Sequence, residues 1–385
     1  MEKMLLKNAL IYRDHAFAPG DVLCSHGRIE AVGPRLEAEG AQTVDCHGLR
    51  LVPGFIDAHT HGAAGVDVNA ADEAGLEKIA AFFASQGTTA WNASVLTDTE
   101  ETTLRCLSCI CAVQKRRGYG AQLLGAHLEG PFLAPEYKGA MPEHLLKKGS
   151  AALLRRYQEA FEGVVRYLTV SPEVEGVPEM IAQVKDEVPV AIGHSGADYA
   201  TAMEAIRLGA RCATHTFNAM RLFHQHEPAI MGAVMESDVW CEAICDGRHL
   251  HPASVRLLLK CKGWDRVMAV TDSIMAAGLP DGNYRLGVND VIVKDGDAKL
   301  ADTGTRAGST LTMIQALRNL IRFTGHPLED VLPLLSENPA AALRLDDRKG
   351  RIQPGLDADL VLLGEKLEVA MTIVGGQTVY CASKE

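Results

Sequence analysis

No stretch of this 385-residue chain approaches the ~18 uninterrupted apolar residues that a membrane-spanning helix requires. The opening Met1-Glu2-Lys3-Met4-Leu5-Leu6-Lys7 lacks a long apolar core and runs into a strand-like segment, so no secretory signal is expected. A basic excess is missing too. Lys+Arg total 38 against 49 Asp+Glu, a net charge of -11, which is the wrong sign for a nucleic-acid partner. That balance leaves any anionic substrate to be held by local groups. For the 10 cysteines, in a chain this large without a signal, no disulfide framework is expected, and the expectation is a cytoplasmic protein with reduced thiols. Cys106, Cys109 and Cys111 lie close together, but within an amphipathic run from Leu104 to Val113 where cysteine behaves as a small hydrophobe. Core packing, rather than metal binding, is expected there.

What is present is ordinary in bulk and specific in detail. Hydrophobic content of 47% and charged content of 23% describe a globular protein, long enough for one large domain and an accessory one. The first ~50 residues read as short strands (Lys3 to Tyr12, Asp21 to Ser25, Arg28 to Val32, Gln42 to Asp45) separated by turns. From Pro53 apolar strand-like runs alternate with helical segments: Thr88 to Trp91 and then helix to Lys115, Gln122 to Leu128, Val164 to Val170, Val188 to Ile192, Arg211 to Thr214, Trp240 to Ile244 and Arg266 to Val270. Repeated alternation of this length predicts parallel βαβ units closing into an α/β fold, a (β/α)8 TIM-like barrel. After a helical run from Val331 to Leu343 the strand texture returns: Gly355 to Leu363 reads as a turn feeding a buried strand, and Val369 to Val374 and Thr378 to Cys381 flank the turn Gly375-Gly376. The expected organisation is a small β-sandwich domain from both chain ends, residues 1-52 plus 346-385, with the barrel, 53-345, inserted between them.

His59 and His61 stand at the end of the first barrel strand, in Gly54-Phe55-Ile56-Asp57-Ala58-His59-Thr60-His61-Gly62. Residues two apart on a strand share a face, so both imidazoles can converge on one point, and neutral imidazole is a common ligand of transition metals. An isolated His-x-His is as readily a structural pair; the rest of the chain decides. Other strands end at Glu129, His194, His215 and Asp272, the positions where a barrel of this kind carries its chemistry. Glu129, His194 and His215 supply one oxygen and two nitrogen ligands and leave coordination open. Such a metal activates water and polarises a carbonyl, and Asp272 is the candidate acid/base. His59 and His61 are candidates for a second metal, with Glu129 near enough to bridge.

The motifs Pro53 to Gly62, His127-Leu128-Glu129-Gly130-Pro131-Phe132, Gly193-His194-Ser195, His215-Thr216-Phe217-Asn218-Ala219-Met220, Asp246-Gly247-Arg248-His249, Thr271-Asp272, Ala276 to Gly282 and Ala307-Gly308-Ser309 to Met313 run in order over almost the whole chain. In these the sequence resembles the N-acetylglucosamine-6-phosphate deacetylases of the amidohydrolase superfamily. The resemblance implies metal-dependent hydrolysis of an acetamide, with one or two divalent transition metals (zinc, iron, manganese or cobalt) per subunit. It places Glu129, His194 and His215 as metal ligands and Asp272 as acid/base. Ala140, Asn218, Ala219, Ala307 and Gly308 fall at substrate-contacting positions, and His249 at one suited to polarising the acetamide oxygen. It further implies a homodimer whose neighbouring subunit completes the phosphate pocket, with His224 or Arg221 available for that.

Three departures bear on specificity. The family's phosphate-gripping arginine before Glu227-Pro228 is replaced by His226, which offers fewer donors than a guanidinium fork. Arg306 stands where the family usually has an apolar residue; either it recognises the anionic group together with His226 or Arg221, or it points to solvent. Met141 also replaces a usual histidine. A different N-acyl sugar, the galacto epimer or an unphosphorylated one, is the alternative substrate, and a non-catalytic barrel the alternative class.

Overall fold

Leu360-Val361-Leu362-Leu363 shows how the two ends of the chain meet. Leu360 and Leu362 belong to one apolar core and Val361 and Leu363 to another, as a period of two requires when a strand is covered on both faces. The structure, a computed structural model, describes residues 3–383. This strand lies between Arg50–Pro53 and Val369–Val374 in a sheet that continues through Met4–Arg13, Ala16–Ser25 and Arg28–Gly33, with Gln377–Cys381 at the opposite edge and Gln42–Asp45 beside Met4–Arg13. Both ends of the chain thus share one eight-stranded sheet. One face encloses its own core, with Leu6, Ile11, Val22, Ile29 and Leu51, and the other packs toward the rest of the molecule through Tyr12, Val52 and Val361.

The second sheet is parallel and follows chain order: β1 (Phe55–Thr60), β2 (Thr88–Leu96), β3 (Gln122–Glu129), β4 (Val165–Val170), β5 (Val190–Ile192), β6 (Cys212–Ala213), β7 (Trp240–Ile244) and β8 (Val267–Val270). Helices join successive strands, giving the (β/α)8 barrel that the alternation predicts. Closure falls just past β8. The Asp272 N–H donates to the His59 carbonyl at 2.9 Å, and the His61 N–H donates to the Ser273 carbonyl at 2.7 Å. Asp57 reinforces this seam by accepting from Thr271 Oγ1 (2.6 Å) and Thr271 N (3.2 Å).

Three segments differ from the sequence expectation. β2 runs on to Leu96, and its helix, Glu100–Gln114, begins only after Thr99 caps it. On that helix Cys106 and Cys111 are buried in the apolar core, so packing is indeed their role. The helical run at 331–343 is broken into Leu328–Val331, a 3-10 turn Leu332–Leu335 and Glu337–Ala342; Pro333 and Pro339 each lack the N–H that a continuous helix uses. An unexpected three-stranded antiparallel sheet, Gly282–Leu286, Asn289–Lys294 and Asp297–Leu300, stands over the barrel mouth. Its signal is legible in retrospect. Asp295-Gly296, with φ of 52° and 71°, forms a two-residue hairpin turn after a strand in which Val291 and Val293 are buried and their neighbours exposed. Among the described residues no helix is long and apolar enough to cross a membrane.

Candidate active site and metal centre

The chain turns sharply at the strand ends that carry the candidate residues. His194, His215 and Asp272 each lie two residues past a strand, and each has a positive φ, 48°, 27° and 48°. Left-handed backbone disfavours residues with a Cβ by about 1–2 kcal/mol, and strain of this kind gathers at functional sites. Here it aims three side chains inward that a continuing strand would alternate between faces. Gly193 permits one of these turns: a Cβ there would meet Thr214 Cβ at 2.7 Å, so only glycine lets the ends of β5 and β6 approach this closely.

The side chains converge. Glu129 Oε1 lies 3.0 Å from His194 Nε2, 3.3 Å from His215 Nε2 and 3.4 Å from His59 Nε2, and Glu129 Oε2 lies 3.2 Å from His61 Nε2. Asp272 Oδ1 is 3.2 Å from His61 Nε2 and 3.6 Å from His59 Nε2. All six residues are buried. Two ligand groups result, His59 with His61 and Glu129, and Glu129 with His194 and His215, each with its ligand atoms within 4.8 Å of one another. Either group could hold a metal ion.

Whether a cation suits them follows from the far side of each ring. His59 Nδ1 faces the Glu242 carboxylate at 2.9 Å, His61 Nδ1 the Ser94 carbonyl at 3.1 Å, and His194 Nδ1 the Tyr137 carbonyl at 2.8 Å. These oxygens can only accept, so each Nδ1 carries the hydrogen and each Nε2 presents its lone pair inward, the arrangement that orients metal-ligating histidines. His59 and His61 Nε2 are then 3.1 Å apart with their lone pairs facing, while His194 Nε2 lies 2.9 Å from the Nε2 of His215, whose own Nδ1 has no hydrogen-bond partner to fix its tautomer. Facing lone pairs repel unless a proton or a cation stands between them. Ligands ~2.0–2.1 Å from a tetrahedral ion would be roughly 3.3 Å from each other, within the range these atoms span. The donor set therefore fits a divalent transition metal.

Electrostatics agrees. Burial opposes charge on His61, but the Asp272 and Glu129 carboxylates outweigh it and raise the ring to about 9. His59 is likewise driven up against its burial, by Glu242, Glu129 and Asp272. Burial also opposes ionisation of Glu129 and Asp272, and the facing imidazoles overcome it and hold both below the usual carboxylate range. The centre is built to hold positive charge between acids.

Above it opens a cavity of about 370 Å3, lined by His61, Glu129, His194, His215 and Asp272. Ala140, Asn218, Ala219, His249, Arg306, Ala307 and Gly308 line the same cavity, as does Met141. His59 lies beneath it. His226 is not among its walls: it sits on the exposed loop 221–227, beside Leu222 and Phe223, which are 71% and 61% exposed. Arg221 on that loop pairs with Glu227. Arg306 neither reaches freely into the cavity nor points to open solvent. Its Nε and Nη2 clamp Asp297 at 2.8 and 3.0 Å, and its Nη1 donates to the Arg248 carbonyl at 3.1 Å. The His249 ring is fixed by Asp246, Nδ1 to Oδ2 at 2.7 Å.

Sequence reasoning missed Glu242, wholly buried on β7. Its Oε2 accepts from His59 Nδ1 and from the His215 N–H at 2.8 Å, and its Oε1 accepts from Tyr167 Oη at 2.7 Å. The available signal was a lone carboxylate inside the apolar run Trp240-Cys241-Glu242-Ala243-Ile244, a residue type rarely buried without a partner. His127, two before Glu129, is held between Ser94 Oγ and Thr169 Oγ1 at 2.8 Å each, and burial together with the nearby His59 charge lowers it. It supports the ligands from within the barrel and is not among either group.

A parallel barrel with an inward-facing His/Glu/Asp centre at its strand ends defines a class of hydrolase. Residues 50–379 match the amidohydrolase family, to which the chain belongs. An N-acetylglucosamine-6-phosphate deacetylase of Bacillus subtilis (strain 168) is 34% identical over 100% of this chain and 98% of its own length. An N-acetylgalactosamine-6-phosphate deacetylase of Escherichia coli O157:H7 is 35% identical over 85% of this chain and 87% of its own. Among solved structures, a single-residue mutant of N-acetyl-D-glucosamine-6-phosphate deacetylase from Mycobacterium smegmatis, in complex with N-acetyl-D-glucosamine-6-phosphate, superposes with a TM-score of 0.90. It is 34% identical, over 98% of this chain and 100% of that one.

Proposed function

We propose that this protein hydrolyses the acetamide of N-acetylglucosamine 6-phosphate to glucosamine 6-phosphate and acetate. The observation that carries this reading is the convergence of Glu129, His194, His215 and Asp272 at the floor of a cavity whose volume is that of a small-molecule site. Glu129, His194 and His215 would hold a divalent transition metal, and His59 and His61 with Glu129 a second. When bound, the metal supplies Lewis-acid activation of water and of the amide carbonyl. Asp272, kept ionised by the facing imidazoles, takes the proton of the attacking water. It then delivers that proton to the amide nitrogen as the C–N bond breaks, so that acetate and a free amine leave. His249, steadied by Asp246, hydrogen-bonds the acetamide oxygen as charge develops on it. Ala140, Asn218, Ala219, Ala307 and Gly308 shape the sugar pocket.

Arg306 fixes the hairpin to the cavity wall through Asp297 and offers its remaining N–H groups to the phosphate. The exposed Phe223 and Leu257 line an apolar depression together with Met231 and Met235, which we assign to a homodimer; it would carry Arg221, His224 and His226 toward a neighbouring subunit. Residues 53-345 form the catalytic unit on this reading, and 1-52 with 346-385 the accessory one, in a cytoplasmic protein whose ten cysteines are all free.

Acetate release by the metal-loaded protein tests the proposal, with N-acetylglucosamine, its 6-phosphate and the two galacto sugars compared under identical conditions. Preference for N-acetylglucosamine 6-phosphate, lost on chelation and restored by metal, is the expected result. Equal turnover of the unphosphorylated sugar would overturn the phosphate assignment, and acetate from none of the four would overturn the activity.

A further inference from the structure

A second and larger concavity lies outside the cavity of the proposed reaction. It measures about 770 Å3 and shares no lining residue with the metal-ligand cavity. Its walls are the segment Asp246–Arg248, the helices Pro252–Lys262 and Met313–Thr324, and Thr310–Leu311. Three arginines line it: Arg248, Arg256 and Arg322.

Each guanidinium is steadied by a neutral acceptor. Arg248 Nη2 donates to the Asp295 carbonyl, Arg256 Nη1 to the Phe323 carbonyl at 2.7 Å, and Arg322 Nη2 to Asn319 Oδ1 at 3.0 Å. Asn319 is itself buried and anchored, donating to the Cys245 carbonyl at 2.9 Å and accepting from Gln315 at 2.9 Å. Neutral acceptors fix direction without cancelling charge. Asp246 is the acid on these walls, and its oxygens already accept from Arg248 N, His249 N and His249 Nδ1, each at 2.7 Å. In a chain of net charge -11, three arginines without a carboxylate partner among the described residues, gathered around one concavity, run against the overall charge.

We propose that this concavity binds a phosphate-bearing small molecule, at a site separate from the amide substrate. Guanidinium forks match phosphate oxygens in geometry as well as charge. The volume exceeds what a phosphoryl group fills, and Phe323, Leu311 and Pro252 offer apolar surface to the body that carries it. A nucleotide and a sugar phosphate share this chemistry, and the choice of probes separates them.

The test is calorimetric titration of the full chain at about 0.15 M salt, where loose surface attraction is screened beyond ~8 Å. The probes are inorganic pyrophosphate, adenosine 5′-diphosphate and glucose 6-phosphate. We expect one saturable equivalent of at least one probe, weakened at least tenfold in the Arg256→Gln/Arg322→Gln double variant. That variant keeps kcat and KM for deacetylation within twofold of wild type, since neither residue lines the metal-ligand cavity. The charge-conserving Arg256→Lys/Arg322→Lys variant, read in parallel should the glutamine pair not fold, loses affinity by a smaller factor. No saturable binding of any probe overturns the proposal. So does undiminished affinity in either double variant, which would place the anion in the substrate cavity. The readout is binding, so it stands apart from whether the protein hydrolyses the amide.

Discussion

Glu242→Gln is the substitution that asks most of this structure. Glu242 presents two oxygens to three donors: His59 Nδ1 at 2.9 Å, the His215 N–H at 2.8 Å and Tyr167 Oη at 2.7 Å. Glutamine has the same shape but one acceptor oxygen. With that oxygen toward His59 and His215, its NH2 group meets the Tyr167 hydroxyl and forces it to turn. Hydrogen bonds to a buried charged group are worth about 1.5–3 kcal/mol and neutral ones about 0.5–1.5, so each retained bond weakens by roughly 1 kcal/mol. His59 also loses the carboxylate that makes its Nε2 a stronger donor. Partners of this kind change metal affinity by about 10–100-fold, or 1.4–2.8 kcal/mol. The assay is competition of zinc or cobalt between protein and a chromophoric chelator, with metal content after dialysis as a second readout. Metal bound through His59 should weaken by that factor, and metal held by Glu129, His194 and His215 by less, because Glu242 touches only the backbone of His215. Wild type and variant titrating alike in affinity and stoichiometry would refute the reasoning.

Three further outcomes follow from the same geometry. Asp272→Asn keeps the shape of the site and removes the base, so kcat should fall by roughly 10²–10⁴ with KM near wild type; unchanged kcat would remove Asp272 from the chemistry. Asp57→Ala leaves the buried Thr271 hydroxyl and N–H without their acceptor at the barrel seam, at about 1–3 kcal/mol per group, and urea denaturation should show a loss of about 2–6 kcal/mol. Arg306, by its hydrogen bonds to Asp297, holds that carboxyl down from 3.8 to about 2. A depressed carboxyl stabilises the fold fully above its ordinary value and loses that contribution as pH falls through the depressed one. The stability gap between wild type and Arg306→Ala should therefore be constant from pH 7 to 5 and close between pH 4 and 2; a gap that ignores pH would mean the pair contributes nothing.

The candidate ligand set was legible because it obeys local rules. His59 and His61 are two apart on a strand, and Glu129, His194, His215 and Asp272 stand where apolar strand-like runs give out, so a barrel reading alone brings them to one rim. The hairpin sheet at 282–300 carried a usable signal in Asp295-Gly296 that the strand-helix alternation around it obscured. His226 and Arg306 show the limit of reading by position. One stands on an exposed loop and the other is clamped to Asp297, nine residues away on the far side of a turn. Side-chain direction in loops depends on the neighbours the fold supplies.

By itself, then, the sequence determined the alternation that makes the barrel, the shared sheet of the two ends and the identity of the inward-facing acids and imidazoles, all of which follow from periods of a few residues. Only the tertiary structure decided which Nδ1 meets which oxygen. Glu242 reaches His59 across 183 residues and Asp57 reaches Thr271 across 214. Those pairings arise when the barrel closes and brings strands remote in sequence side by side. Closure fixes the tautomers of His59, His61 and His194, and with them the direction in which each lone pair faces the shared Glu129 carboxylate.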